Sequence, residues 1–298
     1  MTIAVSTRSE LATKHGLGAL IRRLLLDGAP SVVIEPPAYG VALNADLDGL
    51  RRLEAPVSGM IGPPIPASDA PESTVASVEK NARRSSVEAL AGALPWLSVL
   101  KCRRLMIPIG PAGFYGEAEL RRKLEDPAAD RRGLVAAFRK DNAAQRQSHA
   151  TLMCRELFDL RRRMDGALLL LLPTDDPLSF LDPETADWIL GDQKELGLAI
   201  DLGAVHAAET RGADGLSTWF DRAAGSLGFI LLADHDGRGD GSLLPGAGRL
   251  DVANFRDVIG RRTPVALRCD PRASYDDVKA SAAEVSRRLG PVGDLAAW

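Results

Sequence analysis

The chain has 298 residues, 45% of them hydrophobic, and its 37 basic and 40 acidic residues leave a formal charge of −3. A chain of this size buries roughly three quarters of the surface it exposes when unfolded, enough for one large core or two modest ones. The charge balance excludes a polycationic chain, and no Lys/Arg block is laid out to follow a phosphate backbone.

The predicted elements alternate along the chain. Ile3–Val5 opens as a short strand followed by Ser6 and Thr7, and Val32–Ile34 follows, ending at Glu35 beside Pro36 and Pro37. Pro56–Ile61 is the third strand. The segment Gly62–Ser73, with Pro63, Pro64, Pro66 and Pro71, reads as a long loop. Between Arg83 and Lys101, the stripe Val87, Leu90, Ala91, Leu94 and Leu97 predicts an amphipathic helix bent at Pro95. After the strand Leu105–Ile109, residues Asp130 to Arg163 predict one long helix or two joined ones, striped by Met153, Leu157 and Leu160, with His149 at the surface.

Ala167–Leu172 is the fifth strand, and Asp182-Pro183-Glu184 supplies a cap, a first-turn proline and a first-turn acid for the next helix. Leu198–Ile200 and Phe229–Leu232 follow as strands. Asp251 is placed to cap a short helix reaching Val258, and Val265–Leu267 is the eighth strand. Ser274 and Asp277 form a capping-box pattern for a last helix ending at Leu289. The strands are apolar throughout instead of alternating, which predicts cover on both faces in a parallel sheet. Eight such strands separated by helices predict an α/β fold, a (β/α)8 TIM barrel formed as one domain over residues 1–298, with the proline-rich loop over its mouth.

Cys102, Cys154 and Cys269 are odd in number and far apart, so buried thiols are expected and not a disulfide framework. No basic segment followed by a long apolar one opens the chain. The longest apolar run, Ala167–Pro173, has seven residues, against about 20 for a membrane span. The expectation is a cytoplasmic protein with no membrane and no nucleic-acid partner.

In a barrel of this class, chemistry sits just beyond the C-terminal strand ends, and polar residues collect there. They are Ser6, Glu35, Thr174, Asp175, Asp201, His206, Asp234, His235, Asp236, Arg238, Arg268 and Asp270. Glu35, Asp201, His206, Asp234, His235 and Arg268 are the candidate catalytic residues. Ser6, Thr174, Asp175, Asp236 and Arg238 are candidates for substrate binding. Each also has a plainer reading: Asp175 as a solvated turn acid, His206 as a surface histidine, Glu35 as a loop acid paired with an arginine. The run Asp234 to Gly241 lacks the terminal acid and flanking helices of a calcium loop. No G-x-G-x-x-G or P-loop pattern is present.

The segments Leu198-Ala199-Ile200-Asp201-Leu202-Gly203, Ala233-Asp234-His235-Asp236-Gly237-Arg238 and Leu244-Pro245-Gly246-Ala247-Gly248-Arg249-Leu250-Asp251 resemble the xylose-isomerase-like TIM barrels. That group comprises sugar phosphate isomerases and epimerases and includes hydroxypyruvate isomerases. The resemblance implies a divalent metal held by glutamates ending strands five and eight, an aspartate ending strand six and a histidine or glutamine in strand seven. Carried over by position, only Asp201 is retained. The other places fall on Leu172, Leu231 and Arg268, and a histidine three beyond the strand-six aspartate falls on Ala204, with His206 nearby. Two leucines offer a hard cation nothing, and Arg268 brings a fixed positive charge to pair with Asp201.

Three readings follow. The first is a metal-independent isomerase, epimerase or lyase-type enzyme acting beside the carbonyl of a small anionic or polyhydroxy metabolite. Arg268 would neutralise a carboxylate, phosphate or enolate, and no cofactor is expected. The second is a non-catalytic barrel binding a ligand or protein. The third is a rearranged site in which Glu35, Asp201, His206 and Asp234 hold Mn²⁺, Mg²⁺ or Zn²⁺. Some members of the resembled group cut DNA at abasic sites with several metals, a chemistry that four histidines and no basic, aromatic groove do not favour. A homodimer would suit this barrel class.

Overall fold

Eight parallel strands close on themselves in chain order, each paired with the next and the eighth with the first. They are β1 (Ala4–Ser6), β2 (Val32–Ile34), β3 (Val57–Ile61), β4 (Arg104–Ile109), β5 (Leu168–Pro173), β6 (Leu196–Asp201), β7 (Leu227–Leu232) and β8 (Val265–Leu267). The computed structural model describes residues 4–7, 16–35, 56–62, 75–164, 166–238, 243–259, 263–270 and 272–290. The proline-rich stretch 63–73 and the Pro36-Pro37 pair lie outside the described residues.

Nine α-helices are described: α1 (Leu17–Leu26), α2 (Lys80–Val99), α3 (Glu117–Leu124), α4 (Arg131–Asp141), α5 (Ala143–Arg162), α6 (Pro183–Asp192), α7 (Leu202–Thr210), α8 (Leu216–Ala223) and α9 (Tyr275–Leu289). Their ends follow capping chemistry. The Asp182 side chain accepts from the Thr185 amide at the start of α6, and Ser274 and Asp277 form a reciprocal capping box at α9. The stretch from Asp130 to Arg163 resolves into two helices that meet at Asn142. Asp251 caps only a 3₁₀ turn, Val252–Phe255, shorter than the predicted helix to Val258. Among the described residues no helix is long and apolar enough to cross a membrane.

Two apolar layers hold the barrel together. Ala4, Val33, Ile61, Met106, Leu170, Leu172, Ala199, Phe229, Leu231 and Ala266 fill its interior. A larger cluster, including Val5, Val32, Leu169, Leu171, Leu198, Ile200 and Ile230, joins the strands to the helices. The two sets alternate along each strand, as period-two side chains must when both faces are covered. Gly197 precedes Ala199 on the inward face of β6. A Cβ there would sit 2.6 Å from Leu170 Cδ2, so the absent side chain makes room for that leucine. Cys102, Cys154 and Cys269 are buried and outside any disulfide.

Candidate functional site at the barrel mouth

The inward-facing alternation continues one step past the apolar interior and there turns polar. Ser6, Glu35, Asp201 and Arg268 lie two residues beyond Ala4, Val33, Ala199 and Ala266, all of the inner layer. The guanidinium of Arg268 reaches two strands in each direction round the barrel. Its Nε and Nη2 donate to the two oxygens of Glu35 at 3.1 and 3.2 Å, and its Nη1 donates to Asp201 Oδ2 at 2.5 Å. Glu35 also accepts from Ser6 Oγ at 2.6 Å, while its amide donates to Thr7 Oγ1 at 3.2 Å. Asp201 is fully buried and caps α7, its other oxygen accepting from the Ala204 amide at 3.1 Å. Burial works against the Arg268 cation, but Glu35 and then Asp201 outweigh it and hold its pKa above the ordinary arginine value. The result is one cation shared by two carboxylates across the barrel mouth.

Asp234, at the end of β7, serves the backbone. Its Oδ1 accepts from the amides of His235 at 2.7 Å and Leu250 at 2.9 Å, and its Oδ2 from those of Gly246 at 3.0 Å and Gly248 at 2.9 Å. The carboxylate thus gathers four amides and folds the Pro245–Leu250 loop back onto the strand end. Gly248 has to be glycine here, since a Cβ would stand 2.4 Å from Asp234 Oδ1 and 2.5 Å from the His235 carbonyl oxygen. The predicted candidates included Asp234 and His235, but no periodicity announced the four amides. The only sequence sign was that the segments Ala233–Arg238 and Leu244–Asp251 both carry the family resemblance.

His235 is buried, and its Nδ1 accepts from the Gly237 amide at 3.2 Å. Its ring meets that of His206 edge-to-face, with centroids 5.3 Å apart. His206 lies within α7 and not on a surface loop; it is partly buried, and its Nδ1 has no hydrogen-bond partner. Burial, reinforced by the His235 ring, holds the His206 pKa below the ordinary histidine value, so the imidazole is neutral at pH 7. His149, expected at the surface, is instead buried between Phe114 and Phe180, its Nε2 at 2.6 Å from the Ala76 carbonyl oxygen. Burial lowers its pKa as well.

Both histidines therefore bind a proton less readily folded than unfolded, where the pKa is about 6.5. Below that value the unfolded chain holds the extra protons, so stability rises with pH through the window. Urea unfolding at pH 7.5, 6.5 and 5.5 is expected to show full stability at the first and a loss by the last. A profile that stays flat or rises toward acid would contradict the weakened proton affinity of these two imidazoles.

Of the remaining candidates, Asp236 lies beside His235, its Oδ1 3.9 Å from the ring Nε2. Asp175 is exposed and engages Arg211. Asp236 and Arg238 lie on an exposed turn after β7, where the Arg238 amide donates to Asp236 Oδ1 at 2.7 Å. Thr174, beyond β5, has a buried hydroxyl with no partner. Leu172 and Leu231 are buried in the inner apolar layer, and the Asp201 oxygens are taken by a guanidinium and an amide. Among the described residues no three His, Cys, Asp or Glu side chains gather into a metal-binding group.

No family model and no curated protein matches the chain. Solved structures match it almost end to end. The TTHB071 protein from Thermus thermophilus, soaked with ZnCl2, is 21% identical with a TM-score of 0.59, over 98% of this chain and 99% of its own. The 3-keto-D-glucoside 4-epimerase YcjR from E. coli is 14% identical with a TM-score of 0.64, over 96% of this chain and 99% of its own. Endonuclease IV from Thermus thermophilus is 12% identical with a TM-score of 0.59, over 96% and 97% of the two chains. At these identities the likeness is one of fold. The fold is a (β/α)8 barrel, a scaffold on which sites of different chemistry are built.

Proposed function

We propose that this protein is an isomerase- or epimerase-type enzyme acting beside the carbonyl of a small anionic or polyhydroxy substrate, with lyase-type cleavage at the same carbon as its near relative, and that it works without a metal ion. The observation that carries the reading is Arg268, a cation with a side chain only 19% exposed, at the centre of the barrel mouth where the resembled enzymes place a divalent ion. Removing a proton from the carbon next to a carbonyl moves an electron pair onto the carbonyl oxygen, and fixed positive charge at that oxygen lowers the barrier. Of the five N–H groups of a guanidinium, three are committed to Glu35 and Asp201. One on each terminal nitrogen is left to point at a substrate oxygen.

His206 suits the proton step, being neutral at pH 7 with a ring nitrogen that holds no partner. It takes the proton from the carbon beside the carbonyl; delivery of that proton to the former carbonyl carbon, with the hydroxyl proton of the first carbon passing to the former carbonyl oxygen, isomerises the substrate. Delivery of a proton from water to the opposite face of the first carbon, with the histidine releasing its own proton to solvent, epimerises it. Asp175, Asp236 and Arg238, exposed on the loops after β5 and β7, are available to contact the rest of the substrate. The full engagement of Glu35 and Asp201 by Arg268 favours one alternative, a barrel that binds such a ligand without turning it over.

The test is loss of carbon-bound protons in D2O, followed by proton NMR over a panel of ketoses, sugar phosphates and 2-keto acids. Protein stripped with a chelator is expected to exchange at least one of them, at a rate that added Mn²⁺, Mg²⁺ or Zn²⁺ leaves unchanged. Arg268→Lys, which keeps the charge but loses the fork, is expected to slow exchange by about 10²-fold. Exchange that requires added metal would overturn the metal-free reading. Saturable binding with no exchange would leave the binding barrel.

A further inference from the structure

Several arginines beyond the strand ends are matched to acids. Arg268 serves Glu35 and Asp201, Arg211 engages Asp175, and Arg272 bonds both oxygens of Asp270. Arg249 is different. Its backbone is fixed at the end of β7, because its amide donates to the His235 carbonyl oxygen at 2.9 Å and Asp234 holds the flanking Gly248 and Leu250 amides. Its guanidinium is exposed and makes no hydrogen bond or ion pair among the described residues.

That guanidinium has a prepared resting place. It lies against the backbone of Gly237, where a Cβ would stand 2.8 Å from Nη1 and 2.9 Å from Cζ, and where φ is +84°. Space and backbone conformation both call for glycine there. The Gly237 amide in turn donates to Nδ1 of His235, whose ring meets that of His206, so the cation is set beside the imidazole pair. Its field reaches His206: burial and then the His235 ring lower that pKa, and Arg249 adds to them against Glu209 and Asp234.

The acids on the adjoining segments are engaged elsewhere. Asp234 accepts from the loop amides, Asp251 from the Ala253 amide and Arg288, and Asp236 from the Arg238 amide, while Glu209 lies against Gly215. A guanidinium held in place without a counter-ion suits an incoming oxyanion, which it meets with two parallel N–H groups. Arg268 does not supply that charge, since one cation against two carboxylates leaves a negative charge over. We propose that Arg249 binds a carboxylate or phosphate group of the substrate beside His206, so that the substrate is an anion and not a neutral polyol. The proposal rests on the enzymatic reading above for the reacting carbon, but not for the anion site.

The test titrates wild-type protein and Arg249→Gln by calorimetry, at low ionic strength, with sn-glycerol 3-phosphate, D-glycerate and glycerol. These compounds share a short polyol and lack a ketone or aldehyde, so their binding does not depend on turnover. The site predicts saturable binding of one or both anions to wild type, weakening as salt is raised, and a loss of at least about tenfold in Arg249→Gln. Which anion binds tells phosphate from carboxylate. On saturation the Cε1 proton of His206 should shift in the NMR spectrum. The glutamine variant is expected to keep the wild-type urea midpoint, because the guanidinium has no partner to lose. Equal anion binding by variant and wild type, no binding of either anion, glycerol binding as tight as theirs, or an unmoved His206 signal would overturn the site. Arg249-dependent binding without any deuterium exchange would retain the anion site and discard the isomerase reading.

Discussion

Replacing Arg268 with methionine is expected to lower the free energy of unfolding by about 3–5 kcal/mol, the usual consequence of removing one partner from a buried ion pair. Methionine fills much of the arginine stem but supplies no donor, so two carboxylates are left facing each other across the barrel mouth. Asp201 is fully buried and the Glu35 side chain is only 11% exposed, so water cannot replace the lost cation cheaply. Ser6 and the Ala204 amide keep one bond each to these acids, which the loss of Arg268 does not remove. Urea unfolding at pH 7.5 provides the measurement. Adding Glu35→Gln and Asp201→Asn to the methionine variant should recover part of the loss, because the stranded charges are then gone. A single-variant loss below about 1 kcal/mol would place the pair in the class of weak surface bridges and remove the central assumption about the mouth.

The second large effect is expected at Asp234. Changing it to asparagine replaces a carboxylate that accepts from four amides with a side chain that has one accepting oxygen and an NH2 group aimed at other donors. Hydrogen bonds to charged groups are worth more than neutral ones, and part-buried amides that lose their acceptor beside the fully buried Asp234 side chain add a cost of their own. A loss of about 2–4 kcal/mol is expected. It should be accompanied by faster hydrogen exchange at the Gly246, Gly248 and Leu250 amides, while amides within β5 and β6 keep their protection. Uniform acceleration over the whole barrel would mean that Asp234 supports the fold at large and not this loop.

These two sites also show what a reader of the sequence is able to see. The eight strands were legible because burial on both faces turns each into an unbroken apolar run, as in Ala167–Leu172 and Val265–Leu267. The caps at Asp182 and Ser274 were legible because their chemistry is local, complete within three residues. Helix α7 was not, since Leu202-Gly203-Ala204-Val205 and Ala207-Ala208 are buried almost all round and leave no polar face to mark a period. His149 was misplaced for a related reason: α5 is covered on the side where Phe114 and Phe180 lie, and a helical stripe gives no sign of a second buried side. The pairing of Arg268 with Asp201 was what the family resemblance implied when its ligand positions were carried over, and Glu35 as an arginine-paired acid was one of its two readings. That a single guanidinium holds both acids depends on the closed geometry, which places strands two and six at equal distances from strand eight round the ring.

That geometry bears on time as well as on strength. Arg268 joins Glu35 across 233 positions of chain, and β8 beside it closes the ring against β1. Such contacts form only after the two ends of the chain have met, and the entropy of closing so long a loop is spent before they return anything. Interactions made after the rate-limiting step do little for the speed of folding but hold back unfolding. The charged cluster at the mouth is therefore a latch on the finished barrel: it governs how long a folded molecule stays folded more than how fast it folds.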